Sequence, residues 1–137
     1  MSYRFAVRVY YEDTDAAGVV YYANYLKFME RARTEWLRTL GFEQSQLVRE
    51  QGLGFVARSV SIDYLKPARL DDMLDVVSGI DTASRAQIVF AQRVERGGDI
   101  LAMSKIQMVC VDPARGKFST LPLSVYEKFK ALIGAGN

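Results

Sequence analysis

The segment Tyr11-Glu12-Asp13-Thr14-Asp15-Ala16-Ala17-Gly18-Val19-Val20-Tyr21-Tyr22 gathers three carboxylates around a glycine-containing loop, in a chain that contains no histidine. Without His there is no Ser-His-Asp or Cys-His nucleophile system and no His-ligated metal. A carboxylate at the start of a helix therefore becomes the leading candidate for acid-base chemistry. Taken alone, the loop has a plainer reading. Asp and Gly are common where a chain turns into a helix, so Asp15 suits capping or a turn, and Asp13 suits shaping the loop. Gly18 permits a backbone turn that a side chain would obstruct. Tyr21, Tyr22 and Tyr25 suit either the wall of a ligand pocket or plain core.

These residues need elements to hold them. Phe5, Val7 and Val9 alternate with Arg4, Ala6 and Arg8, which predicts a first strand of about seven residues with one buried face. From Ala23 to Leu40, Tyr25, Phe28, Met29, Ala32, Trp36, Leu37 and Leu40 recur at spacings of three and four and predict a long helix, with Gly41 as its stop. Lys27, Glu30, Arg31, Arg33, Glu35 and Arg38 are read as its solvated face, with Glu30 paired to Arg33. A second short helix is predicted over Gln44–Gln51. Strands are predicted over Phe55–Leu65, Met73–Asp81, Ala86–Val94 and Leu101–Val111. Arg96-Gly97-Gly98-Asp99 reads as a hairpin connection and Asp112-Pro113-Ala114-Arg115-Gly116 as a tight turn. Leu121–Ile133 closes the chain as a helix.

One long helix followed by consecutive strands excludes a doubly wound fold and fits an antiparallel sheet curled around the helix, an α+β arrangement. Its unpaired edge predicts at least a dimer. The 137 residues, half of them hydrophobic and a quarter charged, fit one domain spanning 1–137 with one main core. The net charge of +2 gives no nucleic-acid footprint. The lone Cys110 lies in apolar Met108-Val109-Cys110-Val111, which predicts an inert strand residue and a reducing compartment. No signal-peptide core and no membrane-length apolar run is seen, so a cytoplasmic protein is expected.

The blocks Tyr11–Tyr21, Tyr25, Glu30-Arg31-Ala32-Arg33-Thr34-Glu35, Pro67-Ala68-Arg69-Leu70-Asp71-Asp72 and Val109-Cys110-Val111-Asp112-Pro113 resemble the hot-dog acyl-CoA thioesterases. The branch resembled is the one containing 4-hydroxybenzoyl-CoA thioesterase and the Tol-Pal-associated acyl-CoA thioesterases. The resemblance implies a hot-dog fold, a long central helix wrapped by a curled antiparallel sheet, that hydrolyses an acyl-CoA to free acid and CoA without metal or organic cofactor. It implies Asp15 as nucleophile on the thioester carbonyl or as general base for water. Tyr22 falls where a helix N-terminus would donate to the thioester oxygen; the Tol-Pal-associated branch usually has His there, so a backbone contribution is favoured. Gly18, Tyr21, Tyr25, Arg69 and Arg85 are the expected substrate-binding residues. Arg69 and Arg85, with Lys66, are candidates for the CoA phosphates, although each is individually more typical of solvated surface. A homodimer or homotetramer is implied, with phosphate contacts from a neighbouring subunit. An acyl carrier protein as partner and a peripheral position at the inner membrane are further expectations. The alternative is a non-catalytic acyl-CoA or acyl-carrier-protein binding module linked to the cell envelope; a hydratase on the same fold ranks low, because it would need His.

Overall fold

The computed structural model describes residues 2–42, 49–50 and 52–133. The short helix expected over Gln44–Gln51 lies outside these residues apart from Arg49 and Glu50. The elements in chain order are β1 (Tyr3–Arg8), α1 (Asn24–Thr39), β2 (Gly54–Tyr64), β3 (Met73–Ala83), β4 (Gln87–Arg96), β5 (Asp99–Asp112), β6 (Lys117–Ser119) and α2 (Leu123–Lys130). They form one sheet in the order β1-β3-β4-β5-β2, with β6 on the far end of β5 and every pairing antiparallel. The short β6 was not anticipated, because three residues after a turn carry no period of their own.

Gly97 and Gly98, at φ 57° and 91°, join β4 to β5 across the Arg96–Asp99 pair. Two consecutive left-handed residues match the twist of a tight hairpin, which is why glycines fill both places. The register slips between Ala57 and Ser59 in β2, between Ile80 and Thr82 in β3, and where Val94 and Glu95 meet β5. An extra residue bends a strand and increases its twist, so these irregularities help the sheet curve around α1.

The stop at Gly41 is made by backbone geometry. Gly41 N–H donates to the Arg38 carbonyl at 3.0 Å and Phe42 N–H to the Leu37 carbonyl at 2.9 Å, with Gly41 at φ 87°. This pattern satisfies carbonyls that a helix end leaves open and needs a left-handed residue. Among the described residues a Cβ at Gly41 would meet only Lys128 Nζ, at 3.9 Å, so the penalty of a side chain is conformational. Gly41→Ala is therefore expected to cost about 1–2 kcal/mol in urea denaturation.

Inward residues of the sheet meet α1 in two adjoining clusters. Tyr25, Phe28, Met29 and Ala32 pack with Leu74, Val76, Val94, Ala102 and Ile106. Trp36 and Leu37 pack with Ile80, Ile88, Phe90, Cys110 and the α2 residues Val125 and Phe129. Cys110 is buried, and desolvation raises its thiol pKa, as an inert strand residue requires.

Arg33 corrects the reading of α1. It is 8% exposed, and its guanidinium donates to Gln92 Oε1 at 2.9 Å and lies over the Phe90 ring at 5.9 Å. At about 100° per residue, Arg33 falls about 80° around the helix from Tyr25, between Met29 at about 40° and Leu37 at about 120°. Position thus puts it on the buried arc, although residue type suggested the solvated one. Its partner row crosses the sheet: Ser78, Gln92 and Ser104 are register neighbours on β3, β4 and β5, all facing α1 and all buried. Gln92 Nε2 donates to the Met29 carbonyl and to Ser78 Oγ, each at 2.9 Å, and Ser104 Oγ donates to the Gln92 carbonyl at 3.1 Å.

Candidate active site

Two segments fold together beside the start of α1. Val20 N–H donates to the Ala68 carbonyl at 2.8 Å, and Val19 bridges Arg69, so the acidic loop is seated on the Pro67–Asp72 segment. That segment is itself clamped. Asp72 accepts from Arg69 N–H at 2.9 Å and from Arg96 at 2.7 Å. Desolvation opposes the charge on Asp72, but these hydrogen bonds and the two arginine charges together hold its pKa below the usual carboxylate range.

Within the loop the two aspartates do different work. Asp13 is 5% exposed; its Oδ2 accepts from Tyr10 N–H at 2.8 Å, its Oδ1 from Asn24 Nδ2 at 2.9 Å, and its carbonyl from Tyr21 N–H at 2.9 Å. With both carboxylate oxygens engaged, Asp13 fixes the loop to the first residue of α1, which is the loop-shaping part expected of it. Asp15 is exposed. Its backbone closes a tight turn, Gly18 N–H to the Asp15 carbonyl at 3.0 Å and Asp15 N–H to the Val19 carbonyl at 2.9 Å, with Gly18 at φ 79°. Asp15 Oδ1 accepts from Ala17 N–H at 2.8 Å, while Oδ2 has no partner among the described residues. Asp15 thus has one oxygen orienting the side chain and one oxygen open.

Asn24 was missed in the sequence, because its partner lies eleven positions away and a polar residue at a helix start has no distinctive spacing. Asp13→Asn would set an amide N–H₂ against a donor at Tyr10 or Asn24. It is expected to cost about 2 kcal/mol in stability and to lower any turnover less than a change at Asp15, as measured by thermal denaturation and steady-state rates.

The start of α1 is chemically open. Its preceding residue, Ala23, supplies no side-chain cap, and among the described residues neither Tyr22 N–H nor Ala23 N–H donates to a group of the chain. Unpaired N–H groups at a helix N-terminus favour an anionic oxygen. Around them stand aromatic rings. Tyr21 and Tyr22 are 45% and 62% exposed with ring centroids 4.8 Å apart. Tyr64 meets Tyr22 edge-on at 6.2 Å and Tyr25 at 5.4 Å, and its hydroxyl donates to the Tyr22 carbonyl at 2.9 Å. The Tyr21 hydroxyl pKa is raised, first by its neighbour Tyr22 and least by the Asp15 charge. Tyr25 is core: it is 3% exposed, its hydroxyl accepts from Ala68 N–H at 3.1 Å, and burial raises its pKa.

Of the expected basic residues, Arg69 is brought to the loop by its bridge to Val19 and has an exposed side chain. Arg85 lies in the β3–β4 turn, at the end of the sheet opposite the β4–β5 hairpin whose Arg96 holds Asp72. It donates from Nε and a terminal nitrogen to the Leu121 carbonyl at 3.0 and 2.9 Å, and its own carbonyl accepts from Leu121 N–H at 2.7 Å. Within one chain it anchors the entry to α2 and does not meet Asp15. Lys66 forms an ion pair with Asp99 at 3.7 Å. No group of three His, Cys, Asp or Glu side chains converges among the described residues, and no described helix is long and apolar enough to cross a membrane.

Comparison with known proteins bears on this geometry. Residues 9–129 match the model of the thioesterase-like superfamily. The chain is 47% identical over 130 residues to an acyl-CoA thioesterase, YbgC, of Haemophilus influenzae, covering 95% of this chain and 96% of that one. Among solved structures, a probable thioesterase from Bartonella henselae superposes with a TM-score of 0.85 at 34% identity, covering 89% of this chain and 100% of that one. An Asp-to-Asn mutant of 4-hydroxybenzoyl-CoA thioesterase, complexed with 4-hydroxybenzoyl-CoA, superposes with a TM-score of 0.84 at 25% identity over 93% and 97% of the two chains.

Proposed function

The chain belongs to the thioesterase-like superfamily and has its hot-dog fold, and from that premise we propose that it hydrolyses acyl-CoA thioesters with Asp15 as the reacting carboxylate. The observation that carries this reading is the open Oδ2 of an exposed, oriented Asp15 on the loop that runs into the uncapped start of α1. A thioester whose carbonyl oxygen points at the Tyr22 and Ala23 N–H groups meets donors already in place for the charge that develops there. Two routes use the same Asp15 oxygen. As nucleophile, it bonds to the thioester carbon, the carbon–sulfur bond breaks, CoA leaves as thiolate, and water then splits the mixed anhydride. As general base, it takes a proton from the water that attacks the carbon, the carbon–sulfur bond of the resulting adduct breaks, and the proton passes on to the departing CoA thiolate. Both give free acid, CoA and a regenerated carboxylate.

Tyr21, Tyr22 and Tyr64 form an exposed aromatic wall beside this point, suited to the acyl group, with Gly18, at φ 79°, making the turn that carries Asp15. Arg69 is the basic residue of the same chain best situated for a CoA phosphate. Arg85 would reach a site only in a second copy of the chain. That copy has a natural seat: among the described residues β2 pairs on one edge alone, and Val56–Ser61 are exposed. Pairing β2 with β2 would satisfy that row of backbone groups and make a homodimer.

The test is CoA release from short, long and aromatic acyl-CoAs by the full chain. Turnover on one class supports the reading and identifies its acyl group. Tight retention of acyl-CoA without release would replace it by a binding module. Tyr64→Phe, which removes the bond to the Tyr22 carbonyl, is expected to lower turnover about threefold to tenfold, in line with about 1 kcal/mol for one hydrogen bond, as read from kcat.

A further inference from the structure

The bonds that hold Asp15 beside the start of α1 lead outside its own loop. Asp15 N–H donates to the Val19 carbonyl at 2.9 Å, and Val20 N–H donates to the Ala68 carbonyl at 2.8 Å. Val19 C=O and Val20 N–H are the two ends of one planar peptide, so that rigid unit ties Asp15 to Ala68. Ala68 is located in turn by its N–H, which donates to the buried Tyr25 hydroxyl at 3.1 Å, and by the Pro67–Asp72 segment around it. That segment depends on its neighbours. Asp71 sits at φ 71°, unfavourable for a residue with a side chain, and such a backbone persists only where the surroundings hold it. At one end Arg8 donates to the Asp71 carbonyl at 2.7 Å and Val9 N–H to the Asp72 carbonyl at 2.9 Å. A single terminal nitrogen of Arg96, from the β4–β5 hairpin, donates to the Asp72 carboxylate at 2.7 Å and to the Pro67 carbonyl at 3.2 Å, and so joins the two ends of the segment.

We propose that Arg96 is a positioning residue for the hydrolysis: by closing the Pro67–Asp72 segment it fixes Ala68, and through the Val19–Val20 peptide it fixes where the Asp15 carboxylate meets the thioester. The assignment rests on the reading of Asp15 as the reacting carboxylate. Arg96 and Asp72 are both partly exposed, and an ion pair of that kind contributes little to folding. A reacting group displaced by about 1 Å, in contrast, can lose about a hundredfold in rate. Arg69, on the same segment, is less sensitive, because its long exposed side chain can follow a small backbone displacement and still reach a phosphate. The loss of Arg96 therefore falls on kcat and not on KM.

Arg96→Met is expected to lower kcat for acyl-CoA hydrolysis about tenfold, with KM and melting temperature little changed. Arg96→Lys is expected to recover most of the rate, because one nitrogen makes both bonds and an ammonium can stand between the same two acceptors. In Asp15→Asn, adding Arg96→Met is expected to cost far less of the residual rate, since no carboxylate is left to position. Amide hydrogen exchange gives a readout independent of turnover. In Arg96→Met the Asp15 and Val20 amides are expected to exchange about tenfold faster, while the β4 amides keep their protection. If Arg96→Met does not fold, Asp72→Asn, which keeps an acceptor for Arg69 N–H but gives up the charge facing Arg96, is expected to show the same pattern. An equal loss in the native and Asp15→Asn backgrounds, a loss confined to KM, no rescue by Lys, or unchanged exchange at Asp15 and Val20 would each overturn the assignment. A native protein that releases CoA from no acyl-CoA would overturn the hydrolytic reading and this role with it, and the amide exchange separates that failure from a clamp that never held the loop.

Discussion

Replacing Asp15 by Asn is expected to lower acyl-CoA hydrolysis by about 10²- to 10⁴-fold, the range that a positioned acid-base side chain supplies, while the melting temperature stays unchanged. The second half of that expectation follows from the local geometry. The amide retains the oxygen that accepts from Ala17 N–H at 2.8 Å, so the turn closed by Gly18 is kept. Exposure removes any packing penalty for the exchange. What disappears is the negative charge and the free lone pairs of Oδ2, which both chemical routes require. Acyl-CoA should still bind, as judged by equilibrium dialysis, since Tyr21, Tyr22, Tyr64 and Arg69 are untouched. A variant that turns over at the native rate would remove Asp15 from the mechanism. Single turnover of the native protein in ¹⁸O-water, followed by mass analysis of the peptide containing Asp15, tests the nucleophilic route: label in the Asp15 carboxylate establishes an anhydride opened by water at the Asp15 carbon.

The largest effect on stability is expected at Gln92. Gln92→Leu keeps much of the side-chain volume but leaves the buried Arg33 without its acceptor and Ser78 Oγ without its donor. Hydrogen bonds to charged groups are worth about 1.5–3 kcal/mol, and an orphaned buried group costs a comparable amount, so a loss of about 3 kcal/mol is expected. That corresponds to a fall in melting temperature of about 10 °C for a domain of this size. The double variant Arg33→Met with Gln92→Leu should recover most of the loss, because removing a buried charge with its partner is far less costly than removing the partner alone. A coupling of about 2 kcal/mol in that cycle, measured by urea denaturation, is the expected result. Additive losses would mean that Arg33 is not held by Gln92.

Hydrophobic period and glycine turn signals carried the long helix, its Gly41 stop, five of the six strands and the two-glycine hairpin, because each depends on residues close together in the chain. The antiparallel order of the fold followed from helix and strands failing to alternate. The acidic loop was legible as a chemical locus for a similar reason: without His, few groups can move a proton at neutral pH, and Asp13, Asp15 and Gly18 fall within six positions. The resemblance to hot-dog thioesterases then singled out Asp15.

Which aspartate is open was a matter of tertiary structure. Asn24 and Tyr10 take both oxygens of Asp13, whereas among the described residues only Ala17 N–H reaches the Asp15 carboxylate, and no spacing rule separates two acids with one residue between them. Arg85, read as a phosphate ligand, is committed to the Leu121 carbonyl thirty-six residues later. Tyr64 joins Tyr22 from the far end of β2, and Ser78, Gln92 and Ser104 become one polar row only when three strands take their register. The sequence by itself determined the elements and the kind of chemistry, since hydrophobic period and available side chains are local properties. Tertiary structure decided which polar groups are paired and which are left open, because a hydrogen bond depends on distances of about 3 Å between residues that the chain keeps far apart.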